Sequence, residues 1–363
     1  MFLKRNVLNF QAAKWINFTI AHLTKHKEKK LFSLCLIMNF PPFYVINLKK
    51  DTKRLESIAK GLSRYNFDFQ RIDAIYGNEL SSKEIQNNTT FTCSNICTNS
   101  VIGCAMSHLQ AWETMISNRN SYAIILEDDA EFIENFDREL RLTLDKMPKD
   151  TDILYLGCLE GCNVTKKYTD DVLTMMFRSI IPHKKQHKVI NDRIFVPEFP
   201  LALHGYVISN NAARFLVSKI KGKISTHIDA EILRLSLSLN TYASYPKLVF
   251  QTVSNETSNI ALQFPIIFNY FAGKIRNADG TPLSYKLSSP LCQIMNYHVN
   301  LYTLLFFIIG VLLKLKPRNL LILLSIFNVI ELSLSSMEAL HGTTIQVIGT
   351  DALILLGYCL IKK

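Results

Sequence analysis

Glu127, Asp128 and Asp129 stand side by side where the apolar run "YAIILEDDAEF" (122–132) turns polar. Crowded carboxylates disfavour one another's ionised form, which is costly beside a core. A divalent cation relieves that cost. Oxygen ligands at a strand end suit Mg²⁺ or Mn²⁺, hard ions that also bridge the phosphates of a bound substrate. The competing reading is structural: these acids cap a helix beginning near Phe132, where negative charge meets the helix dipole. A second acidic pair, Asp150 and Asp152, has D-x-D spacing and competes for the metal role. Asp229 and Glu231, in "THIDAE", add two more carboxylates. No P-loop, G-x-G-x-x-G, H-E-x-x-H or G-x-S-x-G motif occurs, which weakens nucleotide-hydrolase, dehydrogenase, zinc-protease and ester-hydrolase readings.

Positioning these acids requires a scaffold. "PFYVINL" (42–48) has the composition of a buried strand, and Asp51 or Thr52 can cap a helix through "LESIAKGLSRY". "FDFQRIDAIYG" reads as a second strand and turn, and the Asn/Ser/Thr-rich stretch 80–100 as a mobile loop near the site. "VIGCAMSHLQAWETMISNRN" has helical spacing. "YAIILEDD" and "TDILYLG" (151–157) are further strands, separated by an amphipathic helix over "FIENFDRELRLTLDKM". "LALHGYVISNNAARFLVSKI" is a strand, a turn and a helix; "THIDAEILRLSLSL" opens another helix. This alternation predicts an α/β fold with a mostly parallel sheet, whose ligands sit beyond the carboxyl ends of the strands.

The chain has 363 residues, 48% of them hydrophobic and 20% charged, and a formal net charge of +11. Residues 1–37 hold seven Lys or Arg and one acid and form a basic arm, or lie upstream of a true start at Met38. The basic residues show no stripe interleaved with aromatics, so no nucleic acid is expected; a phosphorylated ligand or an anionic membrane surface fits better. Three strongly apolar runs, 299–315, 319–336 and 345–361, predict a hydrophobic helical C-terminal segment associated with a membrane. The expected organisation is an arm over 1–37, a catalytic domain over 38–260, a connecting region over 261–298 and the hydrophobic region over 299–363. The eight cysteines read as free thiols of a reducing compartment, with Cys93-x3-Cys97 and Cys158-x3-Cys162 as a weak zinc alternative. Against that compartment, Asn88, Asn163 and Asn255 begin N-x-T tripeptides.

Seven blocks occur in order: "FYVINLKKDTKR", "IDAIYG", "GCAMSHLQAW", "YAIILEDDAEF", "DILYLG", "HGYVIS" and "PKLVFQTVSN". Together they resemble glycosyltransferase family 25, whose members include lipooligosaccharide galactosyltransferases of Gram-negative bacteria and collagen hydroxylysine galactosyltransferases. The resemblance spans about residues 42–260 and excludes the arm and the hydrophobic tail. It implies a GT-A-like nucleotide-sugar-binding fold and metal-dependent, inverting transfer of a hexose, first of all galactose from UDP-galactose. The acceptor would be a lipooligosaccharide or another glycan. It also implies a metal held by Glu127, Asp128 and Asp129, with Asp152 as the rival. The proton acceptor would be Asp229, or else Glu231 or Asp152. Asn47 and Arg54 would flank the nucleoside at the exit of the first strand. Ser107 and His108 would contact ligand from the helix before the acidic strand. His204 and Gly205 would meet the sugar, and Gln251 would order the rim. Lipooligosaccharide-building members imply the cytoplasmic face of a bacterial inner membrane. The alternatives are a glucosyltransferase of the same fold and a catalytically inactive, membrane-associated glycan-binding or assembly protein.

Overall fold

The short first strand, β1 (Phe43–Asn47), is buried along its whole length, as an aromatic and β-branched run should be. The computed structural model describes residues 40–159, 164, 186–251, 264–275, 282–294, 297–334 and 340–361. The chain divides into two units, Met1–Pro41 and Pro42–Lys363, and every described strand and helix belongs to the second. Helix α1 (Thr52–Ser63) and strand β2 (Phe69–Asp73) follow β1. The 80–100 stretch, expected as a mobile loop, instead carries two short helices, α2 (Ser82–Asn88) and α3 (Phe91–Ile96). Its Ser and Thr residues act as caps: Ser81 forms a capping box with Glu84, Thr90 accepts from the N–H of Cys93, and Thr98 starts α4 (Asn99–Ser117).

Helix α4 buries Ile102, Ala105, Leu109, Trp112 and Met115 in the main core. It leads into β3 (Tyr122–Glu127), a short β4 (Ala130–Phe132), α5 (Phe136–Asp145) and β5 (Ile153–Leu159). The short strands β6 (Lys188–Val189) and β7 (Ile194–Val196) precede the long β8 (Leu201–Ser209). Then come α6 (Asn210–Ile220), α7 (Ile228–Leu235), β9 (Thr241–Ser244) and β10 (Val249–Gln251).

The eight-stranded sheet has the order β2-β1-β3-β8-β5-β9-β7-β6. β1 is parallel to β2 and β3, and β5 to β9, but β8 lies antiparallel between β3 and β5, and β7 antiparallel to β9. The sheet is therefore mixed, not mostly parallel. The fold is α/β as expected; the direction of β8 is the difference, because a strand buried on both faces has the same composition whichever way it runs.

The cysteines also depart from expectation. Cys93 and Cys97 form a disulfide, and Cys158 is disulfide-bonded, so these thiols are neither free nor zinc ligands. Cys104, Cys292 and Cys359 are free, while Cys35 and Cys162 lie outside the described residues.

Beyond the sheet, α8 (Ile266–Ala272), α9 (Leu283–Ser288) and the hairpin β11 (Cys292–Ile294) and β12 (Tyr297–Val299) lead to three apolar helices. These are α10 (Leu301–Leu312), α11 (Pro317–Leu334) and α12 (Leu340–Ile361). Gly310 of α10 lies against the backbone of Ile354 and Gly357 of α12 against that of Phe307, close approaches that a Cβ would block. Among the described residues, α11 is long and apolar enough to cross a membrane.

Candidate functional site

β3 ends at Glu127, and Asp128 and Asp129 occupy the turn before β4. The three neighbouring acids therefore part company, and their hydrogen bonds show how. Asp128 accepts from Asn47 Nδ2 at 2.7 Å and from Arg54 Nη1 at 3.0 Å, so it ties the end of β1 to α1. Glu127 and Asp129 share a different partner, the amide of Gln251, which lies 3.5 Å from one and 3.0 Å from the other. Asp128, expected as a metal ligand, is instead engaged by a guanidinium and an amide. Asn47 and Arg54, expected at a nucleoside, both serve that carboxylate, and Arg71 Nε donates to Asn47 Oδ1 at 2.9 Å.

Burial pushes Asp129 up to about 7, and the charge of Glu127 adds to this against the hydrogen bond from Gln251. Its Oδ1 is buried without a partner, as is Oε1 of Gln251. Two buried, unsatisfied oxygens beside a second carboxylate fit a hard divalent cation in donor type and in charge. Burial would also raise Glu127, yet the hydrogen bond and charge of His108, then His204 and Arg54, hold it below the ordinary carboxylate range.

His108 was expected to touch ligand; its ring is fully engaged within the protein. Nδ1 lies 3.0 Å from Tyr206 Oη, and Nε2 lies 3.3 Å from Glu127 Oε1. Tyr206 Oη also accepts from Trp112 Nε1 at 2.8 Å. Cys104, one helical turn before His108, brings its thiol into the same group: Cys104, His108 and Glu127 offer ligand atoms within 4.8 Å of one another. Burial, and then the charges of Glu127, Asp229 and Asp129, hold that thiol well above its usual range. In this triad Nε2 and Glu127 already engage each other, whereas Oδ1 of Asp129 and Oε1 of Gln251 have no partner. The network as it stands favours the oxygen pair at Asp129 and Gln251.

The other expected residues divide. His204, one position before Gly205, which pairs with Leu126, lies near Glu127; its Nε2 is 3.4 Å from the carbonyl of Val249 and its Nδ1 has no partner. Packing already calls for a glycine at 205, because a Cβ there would meet the Val249 side chain at 2.8 Å. Ser107 is turned away from the cluster and binds the N–H of Ile75 and the carbonyl of Gly103. Asp229 raises the pKa of Cys104, Tyr155 and Tyr285, as Glu127 does for two of these, so it stands by the cluster. Its oxygens accept from the N–H groups of Ala202 and Ala230. That bond holds Ala202 at a φ of 69°, a conformation costly for a residue with a Cβ. Glu231 is elsewhere, binding Ser225 and Arg234.

Asp152 is not at the site. It precedes β5 and binds Ser209 and the N–H of Asn240, level with the start of β3. Five residues of strand, roughly 16 Å, separate that level from Glu127. Asp150 contacts Tyr242 and Asn240 at the same end.

Residues 40–232 match glycosyltransferase family 25 (LPS biosynthesis protein). Procollagen galactosyltransferase 1-A of Xenopus laevis is 28% identical over 131 residues, covering 33% of this chain and 21% of that protein. A putative glycosyltransferase of Haemophilus influenzae is 32% identical over 129 residues, 35% of this chain and 45% of its own. A probable inactive glycosyltransferase 25 family member 3 of Bos taurus is 24% identical over 131 residues, 33% of this chain and 22% of that one. The chain thus spans about a fifth of the animal relatives and under half of the bacterial one. Mouse xyloside xylosyltransferase 1 in its apo form aligns with a TM-score of 0.26 at 14% identity, over 56% of this chain and 69% of that one.

Proposed function

The chain belongs to glycosyltransferase family 25, and from that premise we propose that it is a divalent-cation-dependent, inverting hexosyltransferase. It takes galactose, in the first instance, from UDP-galactose and passes it to a lipooligosaccharide or other glycan acceptor. UDP-glucose is the rival donor, since the choice rests on one or two hydroxyl contacts. The observation that carries this reading is the Asp129–Gln251 pair, with two buried oxygens left unsatisfied beside Glu127. Relatives named as galactosyltransferases support the sugar; the bovine relative named as inactive keeps open a binding or assembly role.

Asp129 and Gln251 would hold Mn²⁺ or Mg²⁺, which when bound neutralises charge growing on the departing diphosphate. Glu127 is kept ionised by His108 and supplies negative charge beside that site. Asp229 is the candidate to take the proton of the acceptor hydroxyl as its oxygen attacks the anomeric carbon. The apolar C-terminal helices would hold the enzyme at a membrane, near a glycolipid acceptor.

Calorimetry of UDP with and without Mn²⁺ tests the site. Asp129→Asn should abolish the metal-dependent part of binding, whereas UDP binding indifferent to chelation would remove the metal from the reading. A product assay over a panel of UDP-hexoses then decides donor and activity together. Absence of turnover with intact UDP binding would favour the assembly role.

A further inference from the structure

The apolar helices have two distinguishable ends. At one end, Tyr302 of α10 donates to Asn269 of α8, and Glu331 of α11 accepts from the N–H groups of Ile266 and Ile267 at the start of α8. At the other end, Tyr358 of α12 donates to the carbonyl of Leu315, in the link between α10 and α11. The bundle therefore has a near end, packed on α8 and tied through Asn300 and Ser288 to α9 beside the catalytic acids, and a far end at residues 313–318.

Three facts bear on what surrounds it. Leu321, Ile322 and Leu323 are successive residues of α11 and are 56%, 49% and 46% exposed, and Ile326, Val329 and Ile330 continue the series. Successive helical positions lie about 100° apart, so three in a row expose more than half of the circumference. A flat membrane surface or one face of a second copy covers a stripe; only immersion covers this. The charges flanking the helices are also biased, five cations at the far end against Lys286 alone in the fifteen residues before α10. The far link contains Lys314, Lys316 and Arg318, and the sequence after α12 continues with Lys362 and Lys363. At the near end, neither 290–300 nor 335–339 contains a Lys or Arg. A bundle dipping into one leaflet would leave three cations in hydrocarbon, whereas a crossing brings them to the opposite headgroups. Lastly, the catalytic unit holds the Cys93–Cys97 disulfide and a disulfide-bonded Cys158, which persist in oxidising compartments.

We propose that α11 crosses a lipid bilayer with its basic end in the cytosol, which places the catalytic unit on the opposite, oxidising side. Basic flanks stay cytosolic, so the charge asymmetry sets this direction, and the disulfides agree with it independently. The inference rests on the membrane association proposed above and reverses the cytoplasmic placement expected from lipooligosaccharide-building relatives.

The test uses full-length chains carrying Asn319→Cys at the far end or Ser82→Cys on exposed α2. Sealed vesicles of both orientations are treated with a membrane-impermeant maleimide and read site by site by mass spectrometry. Labelling of Asn319→Cys from the cytosolic face only, and of Ser82→Cys from the other face only, is expected. Cys93 and Cys97 should remain unreactive until reduced. Labelling of both cysteines from one face would overturn the crossing, and the reverse pattern would overturn the direction. A chain washed off by alkaline carbonate would overturn the membrane reading itself, while leaving the UDP and product assays unaffected. Lys314→Gln, Lys316→Gln and Arg318→Gln together should mix the two orientations; unchanged one-sided labelling would show that these charges do not set direction.

Discussion

His108 shows how much a single side chain decides at this site. Its two nitrogens join Glu127 to a buried phenol, which in turn accepts from the Trp112 indole. Tyr206→Phe deletes the middle of this chain and leaves a buried indole N–H without an acceptor, a loss of about 1–3 kcal/mol. Trp112→Phe removes the stranded donor, so the double variant should be less unstable than the two single losses combined; denaturant midpoints in detergent give the comparison. His204 supplies a separate pH signature. Burial pulls it down to about 4, although Glu127 and the Val249 carbonyl pull upward. The unfolded ring titrates near 6.5, so between pH 6.5 and 4 the unfolded chain binds more protons and stability falls with falling pH. In His204→Gln that slope should flatten, measured as melting temperature against pH beside the parent chain.

At the scale of elements, close packing rather than chemistry explains several positions that look functional. Gly205 faces the Val249 side chain of β10, so Gly205→Ala should destabilise the β8–β10 contact by about 1–3 kcal/mol. Val249→Ala in the same chain should restore much of the loss; no rescue would mean that the glycine serves something other than packing. Thr98→Ala, which uncaps α4 and frees the N–H of Val101, should cost about 1 kcal/mol and slacken the helix that carries Cys104 and His108. The strand–helix alternation, the helical face of α4 and the acidic end of β3 were legible because periodicity and composition record burial. Which of three adjacent acids faces which way was not, since it depends on β3 ending at Glu127. Nor was the roll of β10, whose Gln251 crosses 122 residues of sequence to reach Asp129. Cys104, His108 and Trp112 recur every four residues on α4, a spacing that would have marked them as one face. Asp152 misled because D-x-D spacing carries no information about which end of a strand it occupies.

Across the whole molecule, the connecting region is part of the site's surroundings. The phenol of Tyr285, in α9, is raised first by burial and then by Asp129, Glu127 and Asp229, the same three acids that hold the Cys104 thiol protonated. Its neighbourhood is tied down further by His227, next to α7, whose Nε2 lies 3.3 Å from the carbonyl of Pro290. The family match ends at residue 232, so this wall comes from sequence outside the matched span. Tyr285→Phe removes the hydroxyl and keeps the ring, and should leave stability and Mn²⁺-dependent UDP binding close to those of the parent. Tyr285→Ala opens the wall and admits water to the acids, which weakens the low-dielectric field on a bound cation; UDP affinity should fall about ten-fold, equivalent to about 1.4 kcal/mol. Calorimetry of both full-length variants at one Mn²⁺ concentration separates the two. Equal affinity in Tyr285→Ala would mean that α9 only passes near the acids.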